Sequence, residues 1–143
     1  MTAATAADVV SAADGPIFET IDEAMIARLV HAFYAEIRRD LWLGPIFEQR
    51  IRDWNAHLGQ MCAFWSSVML KSGRYHGTPM QKHMALSVGR THFVRWLDLF
   101  AMTAHSICPA EAPRFEAAAQ RIAQSLALGV ETYRHRLPGN ATD

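Results

Sequence analysis

Residues 54–70 read WNAHLGQMCAFWSSVML, and their apolar side chains recur every three or four positions. That spacing is the period of an α-helix that turns one face toward a core. Asp53 stands directly before the run and suits the N-cap position, where a short carboxylate accepts a backbone N–H. We therefore predict a buried helix over about 52–71. Its apolar face comprises Trp54, Leu58, Met61, Trp65 and Val68.

A second amphipathic helix precedes this one in the chain. Thr20 and Glu23 have the spacing of a capping box, which predicts a helix that begins there and runs to about Arg39. Tyr34 falls within the apolar stripe of this helix rather than on its charged face. The adjacent glycine and proline within 43–45 predict a turn.

The segment that follows the buried helix contains a turn and then the start of another helix. Residues 72–77, SGRYHG, are rich in turn formers. The next four, TPMQ, restart a helix, because threonine can cap it, proline suits its first position and glutamine completes the capping box. This helix is short and ends near Leu86. His83 shares one face of it with two methionines.

The last third of the chain is also helical in pattern. A helix that begins after residues 87–91 carries Trp96. Pro109 and Pro113 then mark a break, and a final helix runs from there to about Arg136. No segment alternates as a strand would, so the prediction is an all-α single domain. The expected boundaries are a flexible N-terminal arm over 1–16, a domain over 17–137 and a C-terminal tail over 138–143.

Composition excludes several classes of partner. The chain has 143 residues, half of them apolar, and its 14 basic side chains balance 14 acidic ones. That balance gives no electrostatic attraction for nucleic acid or for an anionic membrane. No apolar run approaches the roughly 18 residues of a membrane span, and no secretory signal is evident. Cys62 and Cys108 are isolated, so we expect free thiols in a cytoplasmic protein.

Four polar groups lie on the predicted core faces: Tyr34, His57, His83 and Trp96. Taken singly, each is explained as a core residue whose polar atom pairs with the backbone. The two histidines, however, have no carboxylate beside them, which disfavours a di-iron carboxylate site and, without a third ligand, a hydrolytic zinc site. A flat apolar cofactor between two imidazoles suits the pattern. A haem-free helical interaction module and a non-haem metal enzyme remain as alternatives.

The chain resembles the group III truncated haemoglobins from about Phe18 to Leu137. Four stretches carry the resemblance: FYAEIRRDLWLGPIF, WNAHLGQMCAFWSSVML, GRYHGTPMQKH and HFVRWLDLF. Their order and spacing make it specific, although no single stretch decides it. The resemblance implies a globin-like fold, a truncated 2-on-2 helical sandwich around haem.

The same resemblance implies roles for individual residues. His83 corresponds to the proximal ligand of the haem iron, and His57 to the distal histidine, which is also a possible sixth ligand. Tyr34 corresponds to the distal tyrosine, and Trp96 to the tryptophan over the distal side. Other residues are expected to line the haem pocket. These are Phe33, Phe47, Met61, Phe64, Trp65, Met80 and Leu86.

The mode of haem attachment follows from a motif that the sequence lacks. There is no C-x-x-C-H, so we expect non-covalent haem b. Its propionates need cations or hydroxyl groups at the rim, and Arg74, Tyr75 and Lys82 are the candidates. For any one of these three, an ordinary solvated surface position is the simpler interpretation.

The hydrogen-bond donors on the predicted core faces indicate how firmly a bound gas would be held. The Tyr34 hydroxyl and the Trp96 indole N–H can donate, and bound dioxygen carries partial negative charge, so we expect slow oxygen release. The resulting hypothesis is a haemoprotein that binds dioxygen and nitric oxide. Slow release suits detoxification of nitric oxide or peroxide better than oxygen transport. A catalytic cycle of that kind requires a reductase that the sequence does not identify, and we assign no catalytic residue.

Overall fold

The computed structural model describes residues 20–77 and 88–136, with side chains as far as residue 130. Within these ranges the chain forms helices and no strand, so the all-α prediction is confirmed. The helices are α1 (Glu23–Arg39), α2 (Leu43–Arg50), α3 (Trp54–Leu70), α4 (Arg90–Ile107) and α5 (Ala112–Arg136). The short helix predicted from residue 78 to about Leu86 lies outside the described residues, as do the predicted terminal arm and tail.

The start of α1 differs from the prediction. The N-cap is Asp22, whose carboxylate accepts the backbone N–H of Met25 at 2.8 Å. A capping box would require Glu23 to reach back along its own helix. Instead the Glu23 carboxylate accepts a hydrogen bond from Ser66 Oγ at 2.6 Å. The predicted box at Thr20 and Glu23 is therefore wrong, because a tertiary partner takes the glutamate.

The turn predicted at 43–45 is also wrong, since these residues form the first turn of α2. Asp40 Oδ2 accepts the backbone N–H of Leu43 at 2.8 Å and that of Trp42 at 3.1 Å, which satisfies the helix start. Proline is tolerated in a first turn because its missing N–H has no helical partner there. Gly44 permits the close approach to α1, since a Cβ atom there would lie 2.9 Å from the carbonyl oxygen of Arg38.

The predicted buried helix is confirmed as α3. Asp53 caps it, accepting the backbone N–H of Ala56 at 3.1 Å. The helix ends at Leu70, and its C-cap Lys71 adopts the left-handed conformation with φ of 57°. Such a residue commonly ends a helix, because its geometry redirects the chain after the last turn.

The helices pack as two pairs. α1 lies against α3, α4 lies against α5, and the pairs meet through α1 on α4 and α3 on α5. The shorter α2 packs on α1 and touches α4. Fully buried apolar side chains from these helices fill the centre. The largest of them are Ile26, Phe33, Phe100 and Phe115. None of the helices in the described ranges is long and apolar enough to pass through a membrane.

Candidate functional site

The rings of Tyr34 and His57 meet edge to face between α1 and α3. Their centroids are 4.9 Å apart and their planes cross at 90°. Tyr34 is 5% exposed, and the Nε2 atom of His57 is buried. Burial raises the pKa of the Tyr34 hydroxyl far above its ordinary value, so the group stays protonated and able to donate. Two of the four predicted polar groups therefore lie together.

Aromatic rings enclose the Tyr34 side chain. Phe33 lies 5.0 Å away, Phe47 lies 5.9 Å away and Trp54 lies 6.2 Å away, measured between ring centroids. Edge-to-face and tilted arrangements at such distances are favourable for aromatic pairs. These rings exclude water from the phenol on the sides that they cover. A hydrogen bond formed in such surroundings is electrostatically stronger than one formed in water.

Trp96 reaches the same region from α4. Its ring lies 5.4 Å from Phe33, which also contacts Tyr34, so one phenyl ring bridges the indole and the phenol. Trp96 also stacks on Phe100 at 5.6 Å and 8°, and the Phe100 ring itself lies 5.1 Å from Phe33. Phe100 in turn stacks on Trp65 at 5.0 Å and 11°. The stack extends into the core, because Trp65 and Phe100 are both buried.

The face of α3 that carries His57 continues with apolar side chains. Met61, Phe64 and Val68 lie along it, and each is only partly buried although it packs against the core. Trp65, on the adjacent face, is 3% exposed. The apolar surface that α3 still offers beside a buried phenol and an imidazole suits a flat apolar cofactor such as the haem expected from the sequence.

The segment after α3 is tied to the helices by polar contacts. Arg74 forms an ion pair with Glu23 at 2.5 Å, and Glu23 also accepts from the buried Ser66. The Tyr75 N–H donates to Ser67 Oγ at 2.9 Å. The Tyr75 ring meets Phe64 edge to face at 5.2 Å. The contacts of two propionate candidates, Arg74 and Tyr75, are therefore defined, and the Arg74 guanidinium is already paired with the Glu23 carboxylate.

Four of the predicted site residues lie outside the described residues: Met80, Lys82, His83 and Leu86. The structure therefore leaves the proximal side as a prediction. The three polar groups predicted for the distal side, Tyr34, His57 and Trp96, do lie within the described residues, and we call them the distal group. Tyr34 and His57 are in ring contact and Trp96 lies one ring away, while their role toward haem stays a prediction.

Sequence reasoning missed a residue of this group. We assigned Trp54 only to the apolar core face of α3, whereas its partly buried ring also lies 5.6 Å from His57 and 6.2 Å from Tyr34. The signal was present, since residues three apart on a helix are neighbours. Arg38 and Glu48, which hold the Trp54 indole, were not identifiable in this way because they come from other helices.

Comparison with known proteins identifies the family. No protein-family model matches the chain. A relative in Campylobacter jejuni, Group 3 truncated hemoglobin ctb, is 39% identical over 88 residues, which cover 58% of this chain and 69% of the relative. The crystal structure of group III truncated hemoglobin from Campylobacter jejuni is similar, with a TM-score of 0.72 and 32% identity; the match covers 78% of this chain and 93% of that one. This chain belongs to the group III truncated haemoglobins.

Proposed function

We propose that this chain binds haem b through the imidazole of His83 and takes up dioxygen, and nitric oxide, on the side formed by Tyr34, His57 and Trp96. Membership of the family implies a haem cofactor and the binding of a diatomic gas. The observation that carries the finer proposal is the ring contact of Tyr34 with His57 beneath an enclosing set of aromatic side chains. A haem-free interaction module is disfavoured by that family membership.

When bound, haem supplies the iron at which a diatomic gas is held. The chain's own contribution is to hold the gas and to exclude water. The Tyr34 hydroxyl and the Trp96 indole N–H are donors, and the indole nitrogen can only donate. A hydrogen bond to a charged acceptor contributes about 1.5–3 kcal/mol. Each such bond therefore slows release of the gas by roughly 10- to 100-fold.

His83 is proposed as the residue that would ligate the haem iron. Neutral imidazole is a good ligand for haem iron, and apolar surroundings keep water from competing with it. His57 is proposed as a further donor or as a sixth ligand when no gas is present. The half-buried face of α3 supports a pocket wall of Met61 and Phe64.

The propionate contacts are proposed for Arg74, Tyr75 and Lys82. The ion pair of Arg74 with Glu23 means that this guanidinium would have to share or exchange its carboxylate partner. Tyr75 is partly buried against Phe64, and its hydroxyl is the group that would meet a propionate.

Slow release supports a role in removing nitric oxide or peroxide rather than in oxygen delivery. A gas that leaves slowly stays available for reaction, whereas delivery requires rapid release. Sustained removal would need a reductase partner that returns the iron to the ferrous state. Cys62 and Cys108 are both free thiols, in keeping with a reducing compartment such as the cytoplasm.

The first test is a hemin titration of the purified protein, followed by absorption spectra of the ferric, ferrous and oxygen-exposed states. We expect a strong Soret band at one equivalent of hemin and a stable oxygen complex. A protein that stays colourless after incubation with hemin contradicts the proposal and favours the haem-free module.

The second test addresses nitric oxide. The oxygen complex is mixed with nitric oxide, and nitrate is measured with and without an added reducing system. Repeated turnover is expected in the presence of the reducing system. A single stoichiometric reaction without turnover contradicts an enzymatic role and leaves gas binding as the function.

A further inference from the structure

Trp54 lies at the outer side of the distal group. Its indole is 5.6 Å from the His57 ring at 87°, and 6.2 Å from the Tyr34 ring at 57°. It is the first residue of α3 and comes one turn before His57. The indole is partly buried, so one side of it meets the distal pair while another side meets solvent.

Two charged side chains hold this indole from outside. The Arg38 guanidinium lies over the ring, 4.3 Å from its centroid. The Trp54 Nε1–H donates to Glu48 Oε1 at 3.2 Å, and Arg38 Nε donates to Glu48 Oε2 at 2.9 Å. The three residues therefore close a triangle of contacts drawn from α1, α2 and α3.

The triangle restricts the indole more than packing alone would. A cation over the ring face and an acceptor at the ring nitrogen leave few rotamers that keep both contacts. Hydrogen bonds from Arg38 and from Trp54 hold the pKa of Glu48 below its ordinary value, so its carboxylate remains an acceptor at neutral pH.

We propose that Trp54 is a positioning residue that closes the outer side of the distal pocket. Its indole keeps the His57 imidazole against the Tyr34 ring and blocks rotation of that imidazole toward solvent, while Arg38 and Glu48 hold the indole in place. A gas that enters from this side has to displace the indole. The inference rests on the proposed function for its consequence in gas binding, but the contact of the two rings is testable without haem.

The kinetic test uses carbon monoxide rebinding after flash photolysis of the ferrous, haem-loaded protein. Association that requires a conformational change is slowed, so Trp54→Ala is expected to rebind about tenfold faster than the wild type. Trp42→Ala is the matched control. Trp42 is a more exposed tryptophan whose ring packs on His92 at 4.6 Å, away from His57 and Tyr34 in its ring contacts, and the variant is expected to rebind at the wild-type rate.

The structural test reads the position of His57 directly by NMR in the haem-free protein. A nuclear Overhauser effect between the ring protons of His57 and Tyr34 is expected in the wild type and in Trp42→Ala, and it is expected to disappear in Trp54→Ala. This measurement decides the inference even if hemin binding, and with it the proposed function, fails.

Two milder variants cover the case in which Trp54→Ala does not fold. Trp54→Phe keeps a ring without the N–H, and Glu48→Gln keeps an acceptor oxygen without the charge that attracts Arg38. Each is expected to speed rebinding by about two- to fivefold, because one restraint on the ring is lost. Wild-type rebinding rates in these variants and in a folded Trp54→Ala protein, or a retained ring contact in Trp54→Ala, would overturn the inference.

Discussion

The Tyr34 hydroxyl illustrates how neighbours define the chemistry of one residue. Its ring is 5% exposed, it is in contact with His57, Phe33 and Phe47, and burial raises its pKa. A phenol in such surroundings has few alternative partners in water. On the proposed function, this hydroxyl would donate its hydrogen bond to the bound gas.

Replacing this residue tests that role. Tyr34→Phe keeps the ring and removes only the hydroxyl, so the oxygen dissociation rate should rise by roughly 10- to 100-fold. Stopped-flow mixing of the oxygen complex with carbon monoxide measures the rate. Circular dichroism checks that the fold is unchanged. A dissociation rate within about twofold of the wild type would remove the stabilising role assigned to the hydroxyl.

His83 is the second residue whose role is open to direct test. His83→Ala removes the proposed ligand of the iron, so tight haem retention should be lost during gel filtration of the loaded protein. His76→Ala is a suitable control, because His76 is an exposed histidine in the preceding segment with no assigned role. Full haem occupancy with an unchanged spectrum in His83→Ala would show that another residue is the ligand.

At the scale of helices, Asp40 joins three of them. It follows α1, its carboxylate accepts the backbone N–H groups of Trp42 and Leu43 where α2 begins, and Oδ1 accepts from the Arg95 guanidinium of α4 at 2.9 Å. Burial by itself would raise the pKa of Asp40. The hydrogen bonds from Leu43, from Arg95 and from Trp42 outweigh that effect and hold the pKa below its ordinary value of 3.8.

The sign of the pH dependence follows from the lowered pKa. A carboxylate with a depressed folded-state pKa contributes stability above its unfolded pKa, and this stability is lost as pH falls through the folded value. Asp40→Ala should therefore lower the free energy of unfolding at neutral pH by about 1–3 kcal/mol. The deficit should shrink as pH falls below 3.8.

Urea unfolding at several pH values measures this deficit. Asp40→Asn is the matched variant, because an amide oxygen can still cap α2 but carries no charge for Arg95. It should retain part of the stability at neutral pH. A deficit in Asp40→Ala that is equally large at pH values well below 3.8 would contradict the assigned role of the charge.

At the scale of the whole molecule, haem binding and folding should be coupled. The apolar side chains of α3 beside His57 remain partly exposed, and a cofactor that covers them binds the folded chain but not the unfolded one. A ligand at 100 times its dissociation constant stabilises the folded state by about 2.7 kcal/mol. The melting temperature should therefore rise when hemin is added.

Thermal unfolding followed by circular dichroism, with and without hemin, measures the coupling. His83→Ala should show a much smaller rise, since its affinity for haem is reduced. Equal melting temperatures of the wild-type protein with and without hemin would be inconsistent with a specific pocket.

Much of this molecule was predictable from local sequence. The apolar periods placed α1, α3, α4 and α5, the Asp53 cap was correct, and Tyr34 was correctly assigned to the inward face. These features depend on residues within one or two turns of each other. The quoted stretches were specific enough to indicate the family, and so the haem.

Other features were decided by partners distant in the chain. Glu23 leaves its expected capping role for Ser66, 43 positions away, and Asp40 pairs with Arg95, 55 positions away. In the sequence, Trp54 has the pattern of an ordinary core residue. Its contacts with Arg38 of α1 and Glu48 of α2 form only when these helices pack against α3. Helical period and capping are local properties that a sequence displays directly, whereas contacts between helices exist only once the chain has packed.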